Sequence, residues 1–192
     1  MRTAEIKRNT NETKISLKLK LDGTGKAEVS TGIGFFDHML IAFAVHSGFD
    51  ITLAASGDLE VDCHHTIEDV GIVLGQVLAQ TVKRDEIMRY GSFSIPMDEA
   101  LASCTLDFSG RACLVFNAQF ANQLIGQYET AMTEHFFLAL ANNAGLTLHI
   151  NVPYGRDDHH KTEAIYKAVA HSLAIAVQPN KSGKALSSKG SL

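Results

Sequence analysis

Two copies of one short pattern in this chain could hold metal ions: His64-His65-x-x-Glu68 and His159-His160-x-x-Glu163. In each copy the first histidine and the glutamate are four residues apart, a spacing that on a helix puts both side chains on one face. The second histidine is rotated by about 100° and points at a different target. One copy can therefore grip one ion with a His/Glu pair and offer its other histidine to a second ion. Two copies facing each other would bind two ions by exchanging those histidines, His64 and Glu68 with His160, and His159 and Glu163 with His65. Neutral imidazole and carboxylate suit Zn, Mn, Fe, Ni or Co.

The repeat extends beyond the motif. His38 and His135 each open an apolar helical pattern that stops at a glycine ten residues on, Gly48 and Gly145, as expected of a helix C-terminus. A strand-like run follows each, FDITLAA and LTLHINV, and the double histidine comes 26 residues after His38 and 24 after His135. An internal duplication explains this better than chance. The halves are residues 1–90 and 91–180, with 181–192 as a tail. His38 and His135 would complete one metal site each, in an order that spacing leaves open.

Elements to position these residues are legible. AEIKRNT and TKISLKLKL alternate as half-buried strands, LDGTG is a turn, and KAEVSTGI reads as the returning hairpin partner. Helix is predicted over 36–46, strand over 49–55, and a long amphipathic helix over 66–83. The second half repeats this, with strands around Ser109-Gly110, then helix 129–144, strand 146–152 and helix 159–177. Two strand–strand–helix–strand–helix units give an α+β fold of mostly antiparallel sheet with helices on one side.

A chain of 192 residues with 45% hydrophobic content buries a real core. Net charge of −4 gives no nucleic-acid footprint, and no run of 18 apolar residues suggests a membrane span. Cys63, Cys104 and Cys113 are odd in number and lack CxxC spacing, so they read as reduced thiols of a cytoplasmic protein. His46 lies two turns beyond His38 and is a candidate pocket residue, whereas His149 and His171 have no repeat counterpart and read as structural. Glu163 and Lys167 form an i,i+4 pair, either a helix salt bridge or a lysine at the rim of the metal site ready for an anion. Arg89 and Arg111 sit beside glycines at strand edges. Lys181, Lys184 and Lys189, with Ser187 and Ser188, form a polar tail that is either solvated or folded over a phosphate.

RNTNET, LDGTGKAEVSTGIGFFDHML, AASGDLEVDCHHTIED, RYGSFSIPMDEAL, DFSGR, DDHHKTEAIYKA and the closing SSKG together resemble the imidazoleglycerol-phosphate dehydratase family, in order and over essentially the whole chain. The resemblance implies a duplicated ββαβα unit with ribosomal-protein-S5-domain-2-like topology. It implies a histidine-biosynthesis lyase that converts D-erythro-imidazole glycerol phosphate to imidazole acetol phosphate, with two manganese ions per active site. The implied ligands are His38, His64, His65, Glu68, His135, His159, His160 and Glu163, the eight positions that the repeat selects. Phosphate binding would fall to Arg89, Arg111, Lys167 and the Ser187, Ser188 and Lys189 segment, and Glu12 and Asp98 would be pocket carboxylates. Relatives form a homo-oligomeric shell of twenty-four subunits with active sites between them. Two departures stand out: Ser47 falls between His46 and the helix-ending glycine, and TVKRDEIMRYG lacks a glycine before its Ile-x-Arg stretch.

The chemistry suits such a site. Losing water from a glycerol chain needs a departing hydroxyl and a removed C–H proton. Metal ions on both nitrogens of an imidazole would make it an imidazolate, electron-rich enough to expel the adjacent hydroxyl. Glu12 is the first choice for proton transfer and Asp98 the second. Two alternatives are a dinuclear metallohydrolase, which would favour bridging carboxylates over six histidines, and a non-catalytic metal-binding shell protein, which would need neither Glu12 nor a phosphate clamp.

Overall fold

The computed structural model describes residues 2–180. The first half contains β1 (Thr3–Asn9), β2 (Thr13–Lys20), β3 (Ala27–Ser30), α1 (Gly34–Ser47), β4 (Asp50–Gly57) and α2 (His64–Thr81). The second contains β5 (Tyr90–Met97), β6 (Ala100–Asp107), β7 (Cys113–Asn117), a small hairpin of β8 (Leu124–Ile125) and β9 (Tyr128–Glu129), then α3 (Met132–Ala144), β10 (Thr147–Tyr154) and α4 (Asp158–Ala176). The duplication is plain in the sheets, ordered β1-β2-β4-β3 and β5-β6-β10-β7. In each, three strands run antiparallel and the short last strand is parallel to its neighbour.

That edge strand corrects one expectation. KAEVSTGI does not return as the hairpin partner of β2. β4 takes β2's free edge along its whole length, from Thr13↔Gly57 to Lys20↔Asp50, and β3 pairs with β4 instead. The LDGTG segment is gathered around the start of β4, where Asp50 accepts the N–H groups of Thr24 at 2.7 Å and Lys26 at 3.1 Å. A turn signal marks where the chain reverses but not which edge it then joins.

The helices lie between the two sheets. α2 packs on β1, β2 and β4, α4 packs on β5 and β6, and the layer is knitted by α2 against α3 and α1 against α4. Alternation in β2 buries Ile15, Leu17 and Leu19 toward this layer, and in β6 Ala102, Cys104 and Leu106. Two glycines one turn apart let α2 and α3 approach closely. A Cβ on Gly71 would lie 2.7 Å from the Phe136 carbonyl oxygen, and one on Gly75 would lie 2.6 Å from that of Leu140. α1 and α3 end as read from sequence, at Gly48 (φ 72°) and Gly145 (φ 67°) in the left-handed conformation. Ser47 closes the last turn of α1, donating from Oγ to the Ala44 carbonyl at 3.1 Å.

Candidate metal centre

Both double-histidine motifs fall in the first turn of a helix, two residues earlier in α2 than the apolar pattern alone indicated. An aspartate two residues before each motif ties that turn down. Asp62 accepts the His64 N–H at 2.7 Å, and Asp157 accepts the N–H groups of His159 at 2.7 Å and His160 at 3.3 Å. Carboxylates there satisfy backbone donors that the helix leaves free and complement its positive end.

α1 against α4 brings His38 onto the second motif. His38 Nε2 lies 3.6 Å and His159 Nε2 3.3 Å from the same atom, Glu163 Oε2. The three donor atoms all fall within 4.8 Å of one another. Lys167 Nζ holds the other oxygen, Glu163 Oε1, at 2.6 Å. Burial raises the Glu163 pKa, but Lys167, His38 and His159 outweigh it and hold the carboxyl below its ordinary range. The i,i+4 salt bridge and the lysine at the rim are therefore one arrangement. Two ligand atoms each about 2.1 Å from an ion and at right angles are about 3 Å apart, so the 3.3 and 3.6 Å separations from Glu163 Oε2 need only small side-chain shifts to hold a divalent transition metal.

α2 against α3 builds the counterpart. His64 Nε2 lies 3.4 Å from Glu68 Oε2, and the His64 and His135 rings are 5.0 Å apart. The lone histidine of each half thus lies beside the motif of the other half: His38 beside His159 and Glu163, and the His135 ring beside that of His64.

The second histidines turn elsewhere. His65 presents Nδ1 to Asp58 at 3.0 Å and Nε2 toward Glu12 at 3.9 Å. His160 presents Nδ1 to Glu99 at 2.8 Å and Nε2 toward Asp98 at 3.5 Å. Asp58 and Glu99 raise the pKa of the imidazole each faces. Bonds from the Asp157 backbone, His160 and the Arg156 backbone lower that of Glu99 to about 2. Sequence reading missed both carboxylates. Asp58 lies in the β4–α2 loop, and Glu99 lies beside Asp98 in the β5–β6 turn, directly before β6 as Glu12 is directly before β2.

The remaining candidates spread out. His46 Nδ1 lies 3.0 Å from His171 Nε2, and the His171 ring stacks on Phe93 with centroids 4.5 Å apart. His171 is therefore the partner of His46. His149 is exposed on β10. Arg89 is buried in a left-handed conformation (φ 71°), with Nη2 bonded to Asp107 at 2.9 Å, while Arg111 is exposed just before β7. Both arginines sit where β5 and β7 start, the end of the second sheet opposite the β5–β6 turn. Ser187, Ser188 and Lys189 lie outside the described residues. Among the described residues no helix is long and apolar enough to cross a membrane.

The family profile described as imidazoleglycerol-phosphate dehydratase matches residues 31–173. The imidazoleglycerol-phosphate dehydratase of Lactococcus lactis subsp. cremoris (strain SK11) is 55% identical over 199 residues, covering 100% of this chain and 98% of the relative. That of Methanosarcina barkeri (strain Fusaro / DSM 804) is 53% identical over 179 residues, 93% of each chain. Among solved structures, imidazoleglycerol-phosphate dehydratase from Staphylococcus aureus subsp. aureus N315 superposes with a TM-score of 0.84 at 37% identity, over 93% of this chain and 99% of that one. The Pyrococcus furiosus structure gives 0.82 at 32% identity, over 97% and 100%. Matched over its whole length in sequence and over 93% or more of it in fold, the chain belongs to the imidazoleglycerol-phosphate dehydratase family of hydro-lyases.

Proposed function

We propose that the chain dehydrates D-erythro-imidazole glycerol phosphate to imidazole acetol phosphate in histidine biosynthesis, with two manganese ions per active site and sites formed between subunits of a homo-oligomer. The observation that carries this reading is the His38/His159/Glu163 group, with His64, Glu68 and the His135 ring gathered across the other helix pair and a further histidine of each motif turned away. Nitrogen-rich sites of this kind suit a substrate whose reacting group is itself a nitrogen ring. When bound, the metal ions would acidify the substrate's ring N–H and draw charge toward the ring nitrogens.

The chain's own residues supply the rest. His38, His159 and Glu163 would hold one ion and His135, His64 and Glu68 the other. His65 and His160, turned away from both clusters, would complete clusters of neighbouring subunits. Glu12 and Asp98, beside the Nε2 atoms of those outward histidines, would take the proton from the carbon next to the departing hydroxyl. One C–O and one C–H bond break, water leaves, and the resulting enol becomes the ketone.

Arg89 and Arg111 would clamp the phosphate. They sit at one end of the second sheet and the double histidine of α4 near the other, separated by β6, which spans eight residues or roughly 26 Å. A three-carbon chain cannot bridge that distance, so the clamp would have to reach the metal ions of a different subunit. A cytoplasmic location is in keeping with three free thiols, two of them buried.

The test is turnover of imidazole glycerol phosphate by chelator-stripped protein, before and after addition of Mn²⁺. Activity should vanish on stripping and return with the metal. Turnover that survives complete metal removal would refute the metal reading.

A further inference from the structure

We infer that Asp58 and Glu99 are positioning residues that fix the tautomer of His65 and His160, keeping the ring hydrogen on Nδ1 and leaving Nε2 as the metal-binding atom. The inference rests on the two-metal reading above and adds to it two residues that touch neither metal nor substrate. In a neutral imidazole one nitrogen donates and the other accepts. An ionised carboxylate only accepts. Asp58 faces His65 Nδ1 with both oxygens, at 3.2 and 3.0 Å, and Glu99 Oε2 lies 2.8 Å from His160 Nδ1. Each Nδ1 must therefore carry the hydrogen. Among the described residues neither Nε2 makes a hydrogen bond; the charged oxygens near them are Glu12 Oε1 at 3.9 Å and Asp98 Oδ2 at 3.5 Å. Neither oxygen is a donor that would compete for the Nε2 lone pair. A carboxylate on the remote nitrogen orients the ring and strengthens it as a ligand.

The two contacts come from unrelated places. Asp58 belongs to the β4–α2 loop of His65's own half. Glu99 belongs to the two-residue turn that closes Met97↔Ala100, where Asp98 adopts φ 47°. Asp58 and Glu99 are not equivalent positions of the repeat; the residue that precedes β2 as Glu99 precedes β6 is Glu12.

The two are also held differently. Glu99 Oε1 accepts the backbone N–H groups of Arg156 at 2.9 Å and Asp157 at 2.7 Å, so the side chain cannot turn over. Among the described residues no other donor reaches the Asp58 carboxylate. A glutamine at 99 would keep its oxygen on the two backbone N–H groups and press its NH₂ against Nδ1, forcing the hydrogen to Nε2. An asparagine at 58 is free to rotate and offer its oxygen.

Mn²⁺ titration of the full-length assembly against a competing fluorescent chelator separates these cases, with circular dichroism and light scattering as checks of fold. E99Q should weaken one of the two ions per chain by about 10–100-fold, the usual scale for such contacts. D58A should weaken one ion to a similar degree, and D58N clearly less than D58A. If E99Q and D58A both bind two ions within about twofold of wild type, the positioning role is wrong while the metal reading stands. If D58N and D58A lose affinity equally, hydrogen-bond acceptance at Nδ1 is not what matters and the tautomer argument fails. If wild type takes up no Mn²⁺, the metal reading itself fails and takes this inference with it.

Discussion

The imidazoles of His38 and His159 lie 5.7 Å apart, one from each half of the duplicated chain, and both face Glu163 Oε2. The cross-half pairing of His64 and His135, rings 5.0 Å apart, repeats the arrangement. Neither half can build a His/His/Glu cluster alone, because its lone histidine and its His/Glu pair face different partners.

The pairing fixes what histidine substitutions should do. On the proposed two-metal reading H38A and H159A would each remove a ligand of the same ion, so each should take Mn²⁺ uptake from two ions per chain to one, and the double variant should still bind one. H38A/H135A should bind none. Metal analysis of gel-filtered protein checks this, and one ion retained by H38A/H135A would show that the histidines are assigned wrongly.

Close contact of α2 with α3 is needed to place His64 beside His135, so the glycines there should resist even a methyl group. Alanine at an ordinary helical glycine gains about 0.5–1 kcal/mol. At Gly75 its Cβ would lie 2.6 Å from the Leu140 carbonyl oxygen, and overpacking of this kind costs about 1–3 kcal/mol. G75A should therefore be net destabilising by about 1 kcal/mol, lowering Tm by roughly 2–4 °C. It should weaken the His64/Glu68/His135 ion more than the other. A variant with raised Tm and both ions unchanged would show that the helices separate freely.

What was legible in the sequence follows from what helix geometry alone determines. Spacing of four turns His64 and Glu68 onto one face whatever surrounds them, and a glycine after an apolar stripe marks a C-terminus, as Gly48 and Gly145 show. Partners chosen by tertiary packing were not legible. The pairing of His38 with α4 depends on how α1 crosses it, β3 took the edge of β4 and not of β2, and His171 acquired its meaning from His46 across the helix layer. In the sequence Arg89 shows only as a residue near a glycine at a strand edge. It is buried because Asp107, at the far end of a neighbouring strand, accepts its guanidinium.

The His46–His171 pair should make stability fall on the acid side. Burial holds both imidazoles below their ordinary pKa, and Lys167 adds to the effect on His46. The folded chain thus binds fewer protons than the unfolded one once pH drops to about 6.5, the ordinary imidazole value. Stability from this source is present above that pH and is lost as pH falls through it toward the lower folded values. Replacing His171 with phenylalanine should flatten the decline in Tm between about pH 7.5 and 5.5. Parallel curves for variant and wild type would show that the pair is not the titrating element.

Proton transfer should be separable from metal binding. Glu12 Oε1 stands 3.9 Å from His65 Nε2 and is exposed, so E12Q leaves the His/His/Glu clusters untouched. It should bind two Mn²⁺ per chain yet lower kcat by about 10²–10⁴-fold. Should E12Q turn over normally while D98N is inactive, the two carboxylates exchange roles.

The placement of Arg111 gives the sharpest test of sites shared between subunits. Arg111 precedes β7, whose first residue Cys113 pairs with Thr147 at the start of β10, whereas α4 and its double histidine follow the end of that same strand. A strand of eight residues spans roughly 26 Å, so one substrate cannot touch Arg111 and His159 of the same chain. R111A and H159A should each be close to inactive as pure assemblies. Mixed assemblies formed by co-expression should recover activity, because some sites would combine the intact Arg111 of one variant with the intact His159 of the other. Random mixing in equal amounts gives such sites roughly a quarter of the time when two subunits contribute. Activity of co-expressed assemblies, compared with the two pure variants at equal metal content, reads the outcome. No recovery beyond the sum of the pure variants would mean that phosphate clamp and metal ligands serve a site within one chain, and the separation along the sheet would then need another explanation.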